Sequence, residues 1–381
     1  MQARCAAGKL PRSVILWRQT SAGRGSRQIK SWVRKAQYVR EWSPLYERPP
    51  CSVVPARKVF EWRDATLEAS SKPKTSIDQT GRPSSRELQI EMRWLLEDST
   101  VARGFELPEP KWNDCCWGDL EIESHKWRSK NADVGGGECL QMRLSLEDLT
   151  ELWRKRIYER VPIQYLTNTA HWRDLVLCVG PGILIPRPET ESLIDLAEEH
   201  VKANGGSSPW MDMGTGSGAI AIALAKMLGK RSKVFAIDLS PTAVQCARKN
   251  AHRCAVAEQV VARRSKWFDS IQDLKGKLGG ILSNPPYIPR ADLANLQAEV
   301  GDHEPVLALD GGPGDGTEHV MKILKTSAIF LVAGGFMGLE TNGEDQSRAA
   351  MGAVSETGFF EDVRIHADYY GVERFVTARR R

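Results

Sequence analysis

The sequence predicts an α/β protein: a doubly wound, Rossmann-like parallel sheet with a small helical domain ahead of it. Three observations carry this. From about residue 176, short apolar runs alternate with stretches of helical period, the pattern of a parallel sheet covered by helices on both faces. A glycine-rich turn, DMGTGSGA from Asp212 to Ala219, joins the first of those runs to a helix. Two late strand candidates, DVRIHAD and ERFVTAR, have no helix between them and therefore form an antiparallel hairpin at one edge.

The chain has 381 residues, 41% hydrophobic and 27% charged, a globular composition with room for one large domain and a smaller one. No apolar run approaches the roughly 18 residues that a membrane span needs, so no membrane partner is expected. The eight cysteines, among them the adjacent Cys115 and Cys116, show no CxxC spacing and no paired histidines, so the reading is reduced thiols and no metal. Of the 53 basic residues, ten fall in residues 1–40, which hold no Asp or Glu; the other 43 are outnumbered by 48 acidic ones. A basic, acid-free, serine-containing N-terminus is the composition of an organellar transit peptide, with an RNA-binding basic arm as the alternative. The mildly acidic remainder argues against direct nucleic-acid binding.

In chain order, residues 1–70 read as transit peptide and disordered arm, and 71–84 as a linker within the Pro/Gly/Ser-punctuated ASSKPKTSIDQTGRPSS. Residues 85–165 read as the small helical domain. One helix starts at Ser84 with Glu87 in capping-box spacing and puts Leu88, Met92 and Leu95 on one face. Another starts at Ser145 with Asp148, carries Leu149, Leu152, Trp153 and Ile157, and must stop by Pro162. Between them, WNDCCWGDL and VGGGE show no period. Residues 166–381 hold the large domain. There WMDM leads to the glycine turn and SGAIAIALAKML, KVFAID to SPTAVQCARKNA, GGIL to SNPPYIP, and FMGLET to a last helix.

Glycines at 214, 216 and 218 let the backbone turn sharply and approach a ligand just ahead of a helix N-terminus, as a nucleoside-binding loop requires. Gly214, Gly216 and Ala219 also satisfy the dinucleotide pattern G-x-G-x-x-G/A, and Asp238 lies where a ribose-binding acid belongs. On these residues alone a nicotinamide oxidoreductase and a methyltransferase stand level. The stretch SNPPY, Ser283 to Tyr287, separates them. Pro285 and Pro286 remove two backbone donors at a strand end and leave carbonyl oxygens. With the Asn284 side-chain oxygen and the Pro285 carbonyl, the site can receive both hydrogens of a planar NH2 group while Tyr287 stacks on its plane. An amide or exocyclic amine is a feeble nucleophile, and fixed acceptors orient its lone pair and stabilise the positive charge that develops on nitrogen.

From about Val161 the chain resembles the HemK/PrmC family of protein-(glutamine N5) methyltransferases, which modify peptide chain release factors. The matching pieces are PIQYLTNTAHWRDLVLCVGPGILIPRPETE, DMGTGSGAIAIALA, AIDLSPTAVQCARKNA, SNPPYIP and DHEPVLALDGGPGDG. NPPY alone also occurs in DNA and RNA amino-methyltransferases, whereas IPRPETE with NPPYIP and ALDGG is far more specific. The resemblance implies a class I S-adenosylmethionine-dependent fold. It implies the methyl donor held by Gly214, Thr215, Gly216, Ser217 and Gly218, with Asp238 on the ribose and Trp267 at the adenine. Asn284, Pro285, Pro286 and Tyr287 would hold the substrate glutamine, with Asn284, Pro285 and Tyr287 catalytic, and the helical domain would recognise the release factor. Arg187 and Glu189 match the signature, and their expected role is to order the loop before a helix that Pro188 opens. His303 in DHEP is expected to be structural rather than a general base. The chain departs from the family in the irregular segment 104–140 and in ETNGEDQ, Glu340 to Gln346, which stands where an EIGHDQ-like run is usual and is expected to affect only a loop. HWRDLVL resembles plant-type members, pointing to the chloroplast rather than the mitochondrion.

Overall fold

The computed structural model describes residues 43–71, 82–105, 112–114 and 138–381. Residues 1–42, most of the linker, Cys115, Cys116 and the VGGG run lie outside them.

Two bodies are joined near residue 163. The small body is an antiparallel sheet flanked by helices. Its strands are β1 (Ser52–Pro55), β2 (Thr100–Phe105), β3 (Trp112–Asp114) and β4 (Glu138–Met142), in the order β1-β4-β2-β3. Its helices are α1 (Ala56–Ser71), α2 (Ser85–Ser99) and α3 (Leu146–Tyr158). The two predicted helix starts are capping boxes: Ser84 accepts from the Glu87 amide and Ser145 from the Asp148 amide, and each acid returns to the cap amide. Leu88, Met92 and Leu95 are buried, as the helical period requires, against Leu140, Met142, Leu149 and Trp153.

Two expectations are corrected here. The folded chain begins well before residue 70, because Leu45, Val59 and Phe60 lie in the same core, so a boundary at 70 would strip it of one wall. The domain is also not purely helical. Strand β4 buries the neighbouring Cys139 and Leu140 and so does not alternate, and the four residues of β1, SVVP, end in a proline, so neither reads as a strand in sequence.

The large body is a seven-stranded sheet in the order β12-β13-β11-β10-β7-β8-β9. Strands β7 (Trp210–Met213), β8 (Val234–Asp238), β9 (Val260–Arg264), β10 (Leu278–Ser283) and β11 (Leu331–Glu340) are parallel. Strand β13 (Glu373–Arg380) runs antiparallel between β11 and the edge strand β12 (Phe360–Ala367), which is the predicted hairpin. A separate hairpin of β5 (Thr169–Trp172) and β6 (Leu175–Cys178) precedes the sheet. One sheet face is covered by α5 (Glu191–Asn204), α6 (Ala219–Leu228) and α7 (Pro241–Arg253), the other by α8 (Glu318–Phe330) and α9 (Glu344–Glu356). This is the doubly wound arrangement. The boundary between the bodies runs through α4 (Ile163–Thr167), whose Ile163 packs into the small core while Tyr165 packs against Cys178, Ile183 and Ala243 of the large one.

Charges pin the two bodies together. Buried Arg156 of α3 bonds Glu91 of α2 at 2.7 and 2.8 Å and Glu299 of the large body at 2.7 Å, and Arg160 closes on the same Glu299. An arginine this deep persists only because carboxylates on both sides satisfy its donors.

Candidate active site

The strand order makes the site. From β7 the chain winds outward through β8 and β9, then returns to lay β10 on the other side of β7. Leu282 of β10 pairs in register with Asp212 of β7, so the glycine turn and SNPPY leave the sheet side by side at its reversal point, where such folds bind ligands. A cavity of about 480 Å³ opens there, and it is lined by Gly214–Ser217, Asp238, Trp267, Asn284 and Pro286.

One wall is held by backbone groups. Gly214 has φ +84°, and a Cβ there would project between the Asn284 carbonyl oxygen at 3.7 Å and the Trp267 ring at 4.0 Å, into the cradle that a ligand would use. Asp238, at the carboxyl end of β8, accepts the Gly216 amide at 3.0 Å on one oxygen and the Ser240 amide at 2.8 Å on the other. Each oxygen keeps a lone pair for a hydroxyl. Burial raises this carboxyl above its ordinary range, and the amide bonds oppose that rise only in part. Trp267 sits at φ +51°, an uncommon conformation for a bulky residue, and its ring meets His319 at 5.3 Å between centroids. Burial lowers the His319 imidazole below its ordinary range, so it is the neutral ring that faces the cavity. A flat aromatic wall, a carboxylate placed for two hydroxyls and a glycine cradle fit an adenosine-bearing donor.

Behind the turn, buried Asp212 accepts from the Thr215 hydroxyl at 2.6 Å and from the Ala221 amide in the first turn of α6 at 3.0 Å. Burial pushes its carboxyl up to about 7. Gly218 differs from its neighbours. A Cβ on it would meet Ala247 of α7 at 3.0 Å, and the residue does not line the cavity. Its place in the expected donor-binding set is corrected to close packing against α7.

The other wall is held by side chains. The Asn284 Nδ2 donates to Thr190 Oγ1 at 2.9 Å, and the Thr190 hydroxyl donates to Glu340 Oε2 at 2.7 Å. The Tyr287 hydroxyl donates to the other oxygen, Oε1, at 3.1 Å. Gln346 Nε2 donates to the Tyr287 carbonyl at 2.8 Å. Asn284 and Pro286 line the cavity; Pro285 is buried at the strand end, and Tyr287 packs on the core beneath α8 and α9. The expected stacking of Tyr287 on a substrate plane is therefore corrected: its ring packs on the core and does not line the cavity, and its hydroxyl donates to Glu340 under the loop. ETNGEDQ is likewise more than a loop, since Glu340 and Gln346 at its two ends brace Tyr287.

Arg187 bonds Glu304 at 2.7 Å, while the Ile185 amide reaches the same buried carboxylate at 3.2 Å and Trp172 Nε1 donates to the Arg187 carbonyl at 2.8 Å. Glu189 lies 4.0 Å from Arg374. Both signature residues thus tie their loop to neighbouring segments. His303 Nε2 bonds the Glu159 carbonyl at 2.8 Å, at the junction of the two bodies. Thr190, His319, Glu340 and Gln346 were not singled out by sequence. Thr190 lies within IPRPETE and Glu340 and Gln346 stand at the two ends of ETNGEDQ, so those segments carried a signal for them, while nothing local marks His319.

A family profile described as the methyltransferase small domain matches residues 193–299. The chain is 38% identical over 292 residues to the release factor glutamine methyltransferase of Synechocystis sp., a match covering 75% of this chain and 95% of that protein. It is 42% identical over 240 residues to the release factor glutamine methyltransferase of Thermosynechococcus vestitus, covering 63% and 81%. Among solved structures, the release factor-specific protein-(glutamine-N5) methyltransferase of Alicyclobacillus acidocaldarius is 25% identical, with a TM-score of 0.32 and coverage of 53% of this chain and 98% of that one. The chain belongs to the release factor glutamine methyltransferase family.

Proposed function

We propose that this protein transfers a methyl group from S-adenosylmethionine to the side-chain amide nitrogen of the glutamine in the GGQ tripeptide of a peptide chain release factor. The observation that carries the reading is the shared cavity: Asn284 of SNPPY opens onto the same space as the glycine turn and Asp238. The bound donor supplies an electrophilic methyl on a sulfonium. The chain supplies orientation. The Asn284 side-chain oxygen and the Pro285 carbonyl receive the two N–H groups of the substrate amide and turn its lone pair toward the donor, and their fixed dipoles favour the charge that grows on nitrogen. After transfer the nitrogen releases its extra proton without needing a buried base.

Two glycines before the glutamine permit the close backbone approach that such a recessed acceptor requires. Incubation of the purified chain with labelled methyl donor and an intact release factor should label the factor far faster than a short GGQ peptide, because docking of the rest of the factor contributes binding energy. Changing that glutamine to glutamate should abolish labelling, since a carboxylate has no N–H pair and is repelled by the acceptors. A chain that labels adenine in DNA or RNA and leaves the factor untouched would overturn the assignment.

The acid-free residues 1–40 support an organellar address, with the chloroplast preferred over the mitochondrion. A reporter fused behind residues 1–42 should enter the organelle, and a reporter left in the cytosol would refute this.

A further inference from the structure

An asparagine amide is nearly symmetric in shape, and only its hydrogen bonds decide which end faces a ligand. At Asn284 that choice decides function, because the oxygen would accept from a substrate NH2 group and the nitrogen would oppose it. The decision is taken two residues away. A threonine hydroxyl has one proton, and Thr190 gives it to Glu340 Oε2 at 2.7 Å. What remains on Thr190 Oγ1 is acceptor capacity, so the group 2.9 Å away on Asn284 must be the NH2 end, and the oxygen is left for the cavity. Glu340 can only accept while ionised, and its second oxygen is engaged by the Tyr287 hydroxyl at 3.1 Å. Thr190 and Glu340 are both buried, so solvent does not compete for these bonds.

We propose that Thr190 and Glu340 are positioning residues, a relay that fixes the Asn284 amide with its oxygen toward the substrate nitrogen. This rests on the glutamine methyltransferase reading above. The charged and titratable groups facing Glu340 are Tyr287, Glu189 and Arg374. Burial, with Glu189 adding to it, pushes the Glu340 carboxyl up to about 7, against the pull of Thr190, Tyr287 and Arg374. Below that pH Glu340 gains a proton and can donate to Thr190, which frees the threonine proton to turn toward Asn284 and releases the choice of amide end. Turnover should therefore rise as pH passes upward through about 7.

Thr190→Val keeps the shape and removes the hydroxyl; it should lower kcat about tenfold or more while leaving donor affinity unchanged, whereas Thr190→Ser should restore most of the rate. Glu340→Gln should lower kcat and flatten its rise near pH 7. An independent readout is solvent exchange of the Asn284 side-chain NH2 protons by NMR, identified by their loss in Asn284→Ala: slow in the wild type, faster in Thr190→Val and Glu340→Gln. Equal kcat in Thr190→Val and the wild type, a loss confined to KM or donor affinity, or unchanged NH2 exchange in both variants would overturn the relay. A wild-type chain that methylates no glutamine yet shows the variant-dependent exchange would sink the functional reading and support the relay.

Discussion

The two walls of the cavity are held by different kinds of groups, and the difference assigns their tasks. On the glycine-turn side the contacts that fix Asp238 come from the amides of Gly216 and Ser240, which no side-chain substitution removes. On the SNPPY side the contacts that fix Asn284 are side chains from three separate segments: Thr190, Glu340 and, through the same carboxylate, Tyr287. A backbone-built wall suits a donor bound the same way at every turnover. A side-chain-built wall can set the polarity of a single acceptor, at the risk that one substitution disturbs it.

The sharpest test of this contrast is Asn284→Ala. It removes the acceptor aimed at the substrate nitrogen and leaves the Asp238 wall untouched, so kcat should fall by about 10² to 10³ with donor affinity nearly unchanged in calorimetric titration. Asp238→Ala should do the reverse. Removing a carboxylate placed for ribose hydroxyls should weaken donor binding by about 1.5 to 3 kcal/mol, with turnover at saturating donor far less affected. Equal losses of affinity in the two variants would erase the distinction between the walls.

The walls were also unequally legible. The glycine turn announces itself because its demands are local: positive φ at Gly214 and Gly216 and an acid after the next strand. SNPPY is local as well, and its missing N–H groups state its chemistry. The relay behind it joins Thr190 to Glu340 across 150 residues of chain, and one sequence carries no record of which distant residues meet. The same logic applies to the small body. Its capped helices are readable from Ser84 and Ser145, while the buried face of α1 is only Ala56, Val59, Phe60 and the charged Arg63, too thin an apolar stripe to stand out by its period. The burial of Leu45, Val59 and Phe60 against α2 and α3, the pairing of β1 with β4 and the hydrogen bonds of Trp62 to Thr150 and of Trp153 to Ser70 assign that stretch to the fold.

Within the glycine turn itself the comparison can be narrowed to two residues. Gly218→Ala places a Cβ 3.0 Å from Ala247 at φ +87°, so it should cost about 2 kcal/mol of stability by denaturant unfolding. Donor affinity in the folded fraction should hold, because Gly218 faces α7 and not the cavity. Gly214→Ala, by contrast, projects toward the cavity and should weaken the donor. Loss of donor affinity in Gly218→Ala as large as in Gly214→Ala would return Gly218 to the binding loop.

The smallest effect concerns Asp212, the buried acid behind the backbone-built wall. Its carboxyl is pushed up to about 7 by burial, opposed by the Thr215 hydroxyl and the Ala221 amide. In the unfolded chain an aspartate ionises near 3.9. Between those values the folded state holds a proton that the unfolded state has lost, so this residue makes stability fall as pH rises, and the dependence ends above about 7. Asp212→Asn keeps an oxygen for Thr215 and Ala221 and cannot titrate. The difference in unfolding free energy between wild type and variant should therefore drift by about 1 kcal/mol from about pH 5.5 to about pH 6.5, the wild type losing ground as pH rises. Glu340 titrates in the same window in both proteins and cancels in the difference. A flat difference across that window would mean that Asp212 is already ionised in the folded protein, and that the Thr215 hydroxyl and the Ala221 amide offset its burial.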